Sequence, residues 1–529
     1  MLKREREERL LVKKTHQSEL ERLQDLAAKA KAGGGEKAME KHKKQGKLTP
    51  RERIDHFLDE GSFVEFNMLA EHQCHDFEMQ KKKYPGDGVV TGYGYVDGRL
   101  VFVYAQDPTV LGGSVGTTHG AKICYTMDKA IMAGAPLIGL NESGGGRLHE
   151  GFTASRNVAG MFHRNTKASG VIPQISAIMG TCAGVAVYSP AITDFIFMVE
   201  GSSQMFITGP GVIKAVTGEQ ISLEDLGGAT IHAATSGCTH FTAKDDRECL
   251  DQVRRLLSFF PSNNMENPPV VDTGDDPRRP CDELEKIVPP DFSKTYDVRD
   301  VIGHIVDNGD FMEVHPVFAR NIVVGFARMD GSTVGIIASQ PKVMAGCLDV
   351  DASDKAARFI RFCDAFNIPL VNLVDVPGFL PGKTQEYGGI IRHGAKMLYA
   401  YSEATVPKVT LNMRKNYGGA VMAMCCKGTE VDQMLAWPIA QPVVLDTKAA
   451  VDIIFRKEIE QAEDPVAAKQ KHVEEYDFAY SNPFNAASKM LLDSVIEPRD
   501  TRWQIISALR MLKEKREERP WRKHGNIPL

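Results

Sequence analysis

The stretch RKNYGGAVMAMCC, Arg414 to Cys426, sets two adjacent glycines between a charged turn and an apolar run, with no acid, base or nucleophile beside them. Backbone N–H groups that open a helix are unpaired and carry the positive end of its dipole, so such a turn can bind a negative oxygen without any side chain. MGTCAGVAVYSP, Met179 to Pro190, places a similar turn in the first half of the chain. Each half also carries an earlier glycine turn, NESGGGR at Asn141–Arg147 and DVPGF at Asp375–Phe379. Glycine lets a ligand come close to the backbone. One donor from each of two turns makes an oxyanion hole, worth about 10²–10³ in rate per donor. The chemistry to expect develops negative charge on a carbonyl oxygen. A lone pair of glycines would read as tight packing, whereas the same pair at matched places in both halves reads as function.

The elements that must hold these turns repeat as well. GAPLIGLNESGGG and NIPLVNLVDVPGF are apolar, strand-like runs entered through Pro136 and Pro369 and closed by glycine turns. Gly144 to Pro173 and Gly378 to Pro407 are both 29 residues, and Pro173 to Gly184 and Pro407 to Gly418 are both 11. Each half then reads strand, glycine turn, helix, strand (VIPQISAIMG, VPKVTLNMRK) and a second glycine turn opening an apolar helix, which predicts α/β layers built by internal duplication. Residues 1–46 read as a charged helical segment broken at AGGGE, 47–261 as an N-terminal domain, 262–285 as a Pro/Asp/Asn linker and 286–529 as a C-terminal domain.

Composition narrows the class. At 529 residues, 43% hydrophobic and net charge −5, the chain predicts two globular domains and gives no reason to expect a nucleic-acid partner. Ten scattered cysteines lack zinc or disulfide-framework spacing, HQCH around Cys74 offers too few ligands, and no metal is expected. No apolar run is long enough to span a membrane, and MLKREREERLL has the charge of neither a signal nor a transit peptide, so a cytoplasmic location is expected, or the mitochondrial matrix if a presequence has been removed. Ser143 lacks the G-x-S-x-G frame of a hydrolase, and no P-loop is present. Arg147, after the first glycine turn, suits either a phosphate or a pairing inside the fold, and Arg392 and His393 suit structure.

SGGGRLHEG, MGTCAGVAVYSPAITDFIFMV, FITGP, LGGATIH, ASQPKVMAGCLD, AARFIRFCDAFNIPLVNLVDVPGFLPG, QEYGGIIRHGAKMLYAYSEATVPKVT, RKNYGGA and the final KHGNIPL together resemble the carboxyltransferase (β) subunits of biotin-dependent acyl-CoA carboxylases, propionyl-CoA carboxylase type. The resemblance covers nearly the whole chain, and it implies two tandem crotonase-like (spiral ββα) domains. The N-terminal half would hold the acyl-CoA and the C-terminal half the biotin, with the active site formed where the two meet across subunits of a homohexamer built as a trimer of dimers. Biotin would arrive on a partner chain, a biotin carboxylase or carrier subunit, since no MKM-type attachment sequence is present.

The resemblance places the thioester oxyanion site at the Gly145–Gly146 turn with the amides of Gly184 and Val185, with Arg147 beside it on the substrate side. The biotin site falls at Gly419 and Ala420, facing the Gly378–Phe379 turn. Carboxylated biotin releases carbon dioxide and then removes the α-proton itself, so no side-chain base is required. Thr181, Val185, Asn416, Val421, Met422 and Asp446 depart from the family pattern. Met422 stands where the family carries an aspartate associated with acyl choice. These departures also admit the carboxyltransferase subunit of a decarboxylase or transcarboxylase, membrane-associated only in a decarboxylase pump, and a catalytically silent assembly subunit.

Overall fold

The computed structural model of the chain describes residues 15–529. Leu10 and the first charged run therefore lie outside the described residues. The charged segment continues as helices His16–Lys31 and Glu36–Lys43, the first capped reciprocally by Thr15 and Ser18. Leu20 and Leu23 are exposed on it. The glycine break between the two helices has a steric reason: a Cβ at Gly34 would stand 2.0 Å from the carbonyl oxygen of Thr109.

Two compact units make up the chain. Among the described residues, the first comprises 15–232 and 242–254, and the second comprises 233–241 and 255–529. Their boundary falls before the Pro/Asp/Asn stretch, so Ser262–Pro280 belongs to the second unit, where the amide of Val271 donates to the carbonyl of Gly331.

The first sheet contains β1 (Val64–Phe66), β2 (Val89–Val96), β3 (Arg99–Gln106), β4 (Leu137–Ser143), β5 (Gln174–Ala183), β6 (Phe195–Val199), β7 (Gln204–Phe206) and β8 (Phe241–Ala243). The second contains β9 (Phe311–Val314), β10 (Ile322–Met329), β11 (Ser332–Ser339), β12 (Leu370–Val376), β13 (Lys408–Tyr417), β14 (Gln433–Ala436), β15 (Gln441–Val443) and β16 (Ser494–Val495). The orders are β1-β2-β3-β4-β5-β6-β8, with β7 on β5, and β9-β10-β11-β12-β13-β14-β16, with β15 on β13. Each sheet begins with an antiparallel meander and continues with parallel strands. β4 and β12 are buried at every residue, as strands covered on both faces must be.

The duplication extends to an irregularity. β4 and β5 pair from Leu137↔Gln174 to Asn141↔Ile178 and resume at Ser143↔Cys182; β12 and β13 pair from Leu370↔Lys408 to Val374↔Asn412 and resume at Val376↔Asn416. Both long strands thus bulge at the same place. Below the bulge they pair with β6 and β14, and above it with β7 and β15. A bulge bends its strand and re-aims the residues beyond it, here the second glycine turn of each half.

Each sheet packs on helices through its own core. In the first unit Phe102, Tyr104 and Leu137 meet Ile123, Met127 and Met161 from helices Thr117–Ala133 and Ser155–Ala168. In the second, Val323, Val371 and Leu411 share a core with Trp437, Ile302 and Ile505.

Candidate functional site

In each unit the first glycine turn is held by one short parallel bridge. Val115 N–H donates to the Gly145 carbonyl and Arg147 N–H donates to the Val115 carbonyl; Leu348 N–H donates to Gly378 and Leu380 N–H to Leu348 in the same way. Backbone groups alternate sides along an extended chain, so the amides of Gly146 and Phe379 point away from these bridges. The bridges correct the alignment expected from spacing, which matched Gly144 with Gly378. Gly145 is the partner of Gly378, because the two halves are offset by 233 residues at Pro136/Pro369 and by 234 at Pro173/Pro407.

The second turn continues from the bulged strand. Residues Gly184–Val187 form a 3₁₀ turn before the short helix Tyr188–Ile192, and Gly419–Ala423 is a helix of 5 residues. Gly184 and Gly418 take the same left-handed φ, 59° and 60°. No side chain caps either segment, which leaves its leading N–H groups available to a ligand. By the strand register Val185 corresponds to Gly419 and Ala186 to Ala420, so the expected pairs Gly184/Val185 and Gly419/Ala420 are displaced by one residue from each other.

The two turns of each unit meet. A Cβ at Gly145 would lie 2.8 Å from the Ala183 carbonyl, and one at Gly146 would lie 3.6 Å from a Val185 methyl. Gly145 also has φ +97°, so glycine is required there on two counts. In the second unit the Phe379 ring is held between Gly419 and Gly394, whose Cβ positions would lie 3.9 and 2.9 Å from it. Space in front of Gly378 is open, with nothing within 4 Å of its Cβ position. Val185 is 37% exposed and Met422 51% exposed, each just past a turn. Tyr188, at the position equivalent to Met422, is also exposed; the sequence reading did not single it out.

Arg147 is drawn into the fold. It is 2% exposed, and its Nη1 reaches Asp87 at 2.7 Å and Glu150 at 3.0 Å while Nη2 donates to the Ser114 carbonyl at 2.9 Å. These contacts are the pairing inside the fold that the sequence allowed for this residue. Glu150 in turn accepts from Thr117 N–H at the start of helix Thr117–Ala133, which fastens the turn to that helix. Burial raises the Asp87 carboxyl above the usual range even against the pull of Arg147. Arg392 donates to the Leu529 carbonyl and His393 faces Asp354 and Lys396, both structural uses.

The residues beneath the turns were not legible as a set. Glu142, last but one in β4, accepts from Lys47 at 2.7 Å and lies 2.8 Å from Arg53. Asp375, last but one in β12, pairs with Arg414 at 2.9 Å. The only trace in sequence was an acid before the turn in both NES and VDV.

The scaffold thus repeats two glycine turns at matched places in its two units, each pair brought together by a bulged strand. Residues 41–527 match the family model described as the carboxyl transferase domain. The chain belongs to the carboxyl transferase family. This carboxyltransferase is 56% identical over 515 residues to the methylmalonyl-CoA decarboxylase subunit alpha of Veillonella parvula, covering 97% of this chain and 100% of that one. It is 53% identical to the propionyl-CoA carboxylase beta chain of Roseobacter denitrificans, covering 96% and 99%. Among solved structures it matches transcarboxylase 12S, a hexamer at the core of a multienzyme complex, seen with methylmalonyl-coenzyme A and methylmalonic acid bound, at TM-score 0.96 and 51% identity over 98% of this chain and 99% of that one. The carboxyltransferase shares the crotonase-like architecture of these neighbours, and its two sheets are the two expected domains. No described helix is long and apolar enough to cross a membrane.

Proposed function

We propose that this chain moves a carboxyl group between biotin on a carrier protein and the α-carbon of a short acyl-CoA, with propionyl-CoA and methylmalonyl-CoA as its pair. The observation that carries this reading is the repeated pair of uncapped glycine turns. In the first unit the amides of Gly146, Gly184 and Val185 hold the thioester oxygen as it gains charge. In the second, those of Phe379, Gly419 and Ala420 hold the ureido oxygen of biotin. Biotin, when bound, supplies both the carbon dioxide and the base. Fixed N–H donors need no reorganisation as charge develops, which is why they stabilise the transition state more than the ground state. The substrate pair is chosen because the decarboxylase, carboxylase and transcarboxylase relatives are all named for, or seen with, propionyl-CoA or methylmalonyl-CoA.

A hexamer is the expected assembly, as in transcarboxylase 12S. The direction of net reaction then belongs to the partner: an ATP-dependent biotin carboxylase drives carboxylation, and a membrane decarboxylase subunit drives the reverse. Purified protein incubated with methylmalonyl-CoA and free biotin should release propionyl-CoA, and should do so faster than with carboxyacyl-CoAs of longer chain. Correct assembly with no biotin-dependent turnover of any carboxyacyl-CoA would instead establish a silent assembly subunit.

A further inference from the structure

The carboxylates at the ends of β4 and β12 occupy the same place in the duplicated fold, directly before a glycine turn. Each is buried and each is matched to a fully buried arginine, yet the two arginines come from different parts of the chain. In the second unit Arg414 lies in the bulge of β13, two residues before the register resumes at Asn416. Its Nε reaches Asp375 at 2.9 Å, and its Nη1 donates to the carbonyls of Pro289 and Lys294 at 3.0 Å, between the rings of Phe292 and Tyr296. The other Asp375 oxygen accepts the Lys415 amide at 3.2 Å.

The first unit has Gly180 at the equivalent bulge position. A Cβ there would lie 2.1 Å from the Glu142 carboxyl carbon, so the missing side chain makes room for the carboxylate itself. The neutralising arginine is Arg53, from helix Pro50–Phe57, whose start is fixed by Pro50 and a reciprocal Thr49–Glu52 cap. Arg53 donates to Asp246 at 2.8 Å and to the Met179 carbonyl at 3.1 Å. Its approach to Glu142 at 2.8 Å is a charge contact too bent for a hydrogen bond, and the aligned bond to Glu142 comes from Lys47. Unlike the turns, the Arg53 pair joins three distant segments: residues 47–53, the β4–β5 edge and Asp246. A purely architectural duplication would have kept one arrangement. Two unrelated arginines at one charge instead point to the carboxylate as the feature retained under both turns.

We propose that Arg53 and Arg414 are positioning residues, each clamping the carboxylate that ends a strand and so fixing the amides of the glycine turn that follows it. The proposal rests on the functional reading above only for its kinetic consequence. With the clamp intact the turn amides are held within the tolerance that oriented catalysis demands; a misplacement of about 1 Å costs about 100-fold in rate.

The test uses the full-length protein with Glu142→Gln, Arg53→Lys, Asp375→Asn and Arg414→Lys, read by amide hydrogen exchange and by turnover of methylmalonyl-CoA with free biotin. Exchange should rise at residues 143–147 only in the Glu142 and Arg53 variants, and at 376–380 only in the Asp375 and Arg414 variants. In each, kcat should fall by about 10–100-fold while the KM for methylmalonyl-CoA holds. Arg53→Lys and Arg414→Lys should retain more activity than Arg53→Met and Arg414→Met, made alongside them. Should either carboxamide variant fail to fold, its arginine-to-lysine partner carries that half of the test. Unchanged exchange at the turns, exchange raised throughout the unit, or a loss confined to KM would overturn the proposal. If the wild-type protein turns over no carboxyacyl-CoA, the functional reading falls and the exchange pattern alone decides the clamp.

Discussion

Gly180→Ala is the smallest change that should loosen the first unit. Adding a methyl group to a strand glycine ordinarily stabilises a protein by roughly 0.5–1 kcal/mol, because glycine loses the most backbone freedom on folding. Here the new carbon would stand 2.1 Å from the Glu142 carboxyl carbon, 2.2 Å from Oε1 and 2.4 Å from Cγ. That carboxylate is not the free end of a flexible chain, since Lys47 holds one oxygen at 2.7 Å and Arg53 faces the other at 2.8 Å, with Arg53 fully buried and the other two nearly so. Restoring ordinary contact requires it to retreat by roughly 1 Å or more, which breaks the Lys47 bond and pulls the charge away from Arg53. Separating a buried ion pair costs about 3–5 kcal/mol. After the backbone gain, the net loss is about 2–4 kcal/mol, or a fall of roughly 5–15 °C in the melting of a unit of this size. Differential scanning calorimetry with hydrogen exchange on the first unit measures it. Gly303→Ala, in helix Val298–Ile305 with nothing within 4 Å of the new carbon, is the control and should stabilise by up to ~1 kcal/mol. If Gly180→Ala matched that control in sign, the reasoning from the Glu142 clamp would be refuted.

Gly378→Ala has open space around the added carbon but must hold φ near +147°, so strain of about 1–3 kcal/mol falls on the turn itself; kcat should drop while assembly, checked by light scattering, is kept. Met422→Asp should change the ratio of kcat/KM between propionyl-CoA and a longer acyl-CoA by roughly 10–200-fold, and a series in which all rates scale together would remove Met422 from the acyl pocket. Acid stability has a named contributor in Asp275, whose carboxyl is held down at about 2 by the Arg279 guanidinium, with help from the Asn308 amide and Arg502. Since its folded value lies below its ordinary value of 3.8, the stabilisation is fully present above that value and is lost as pH falls towards 2. Asp275→Asn should therefore cost about 2 kcal/mol at neutral pH in urea denaturation and flatten the decline between pH 5 and pH 2.

The sequence by itself determined the duplication, the α/β class and the places of the glycine turns. Those features are local: a proline entering an apolar run, a glycine ending it and a fixed count to the next mark are all written within about 50 residues. It also carried enough long motifs for the family to be recognised. What it could not decide is which residues lie beside one another once strands align. Spacing matched Gly144 with Gly378, and only the bridges Val115↔Gly146 and Leu348↔Phe379 moved that match by one residue. Arg147 follows a glycine turn and would serve a phosphate equally well in sequence; only the structure shows its burial against Asp87 and Glu150. The clamp under each turn was the least legible feature. Arg53 and Glu142 are 89 residues apart, Arg414 and Asp375 are 39 apart, and no common spacing links the two pairs. Their equivalence exists only in the register of a bulged sheet, because pairing places charges by position across strands and not by distance along the chain.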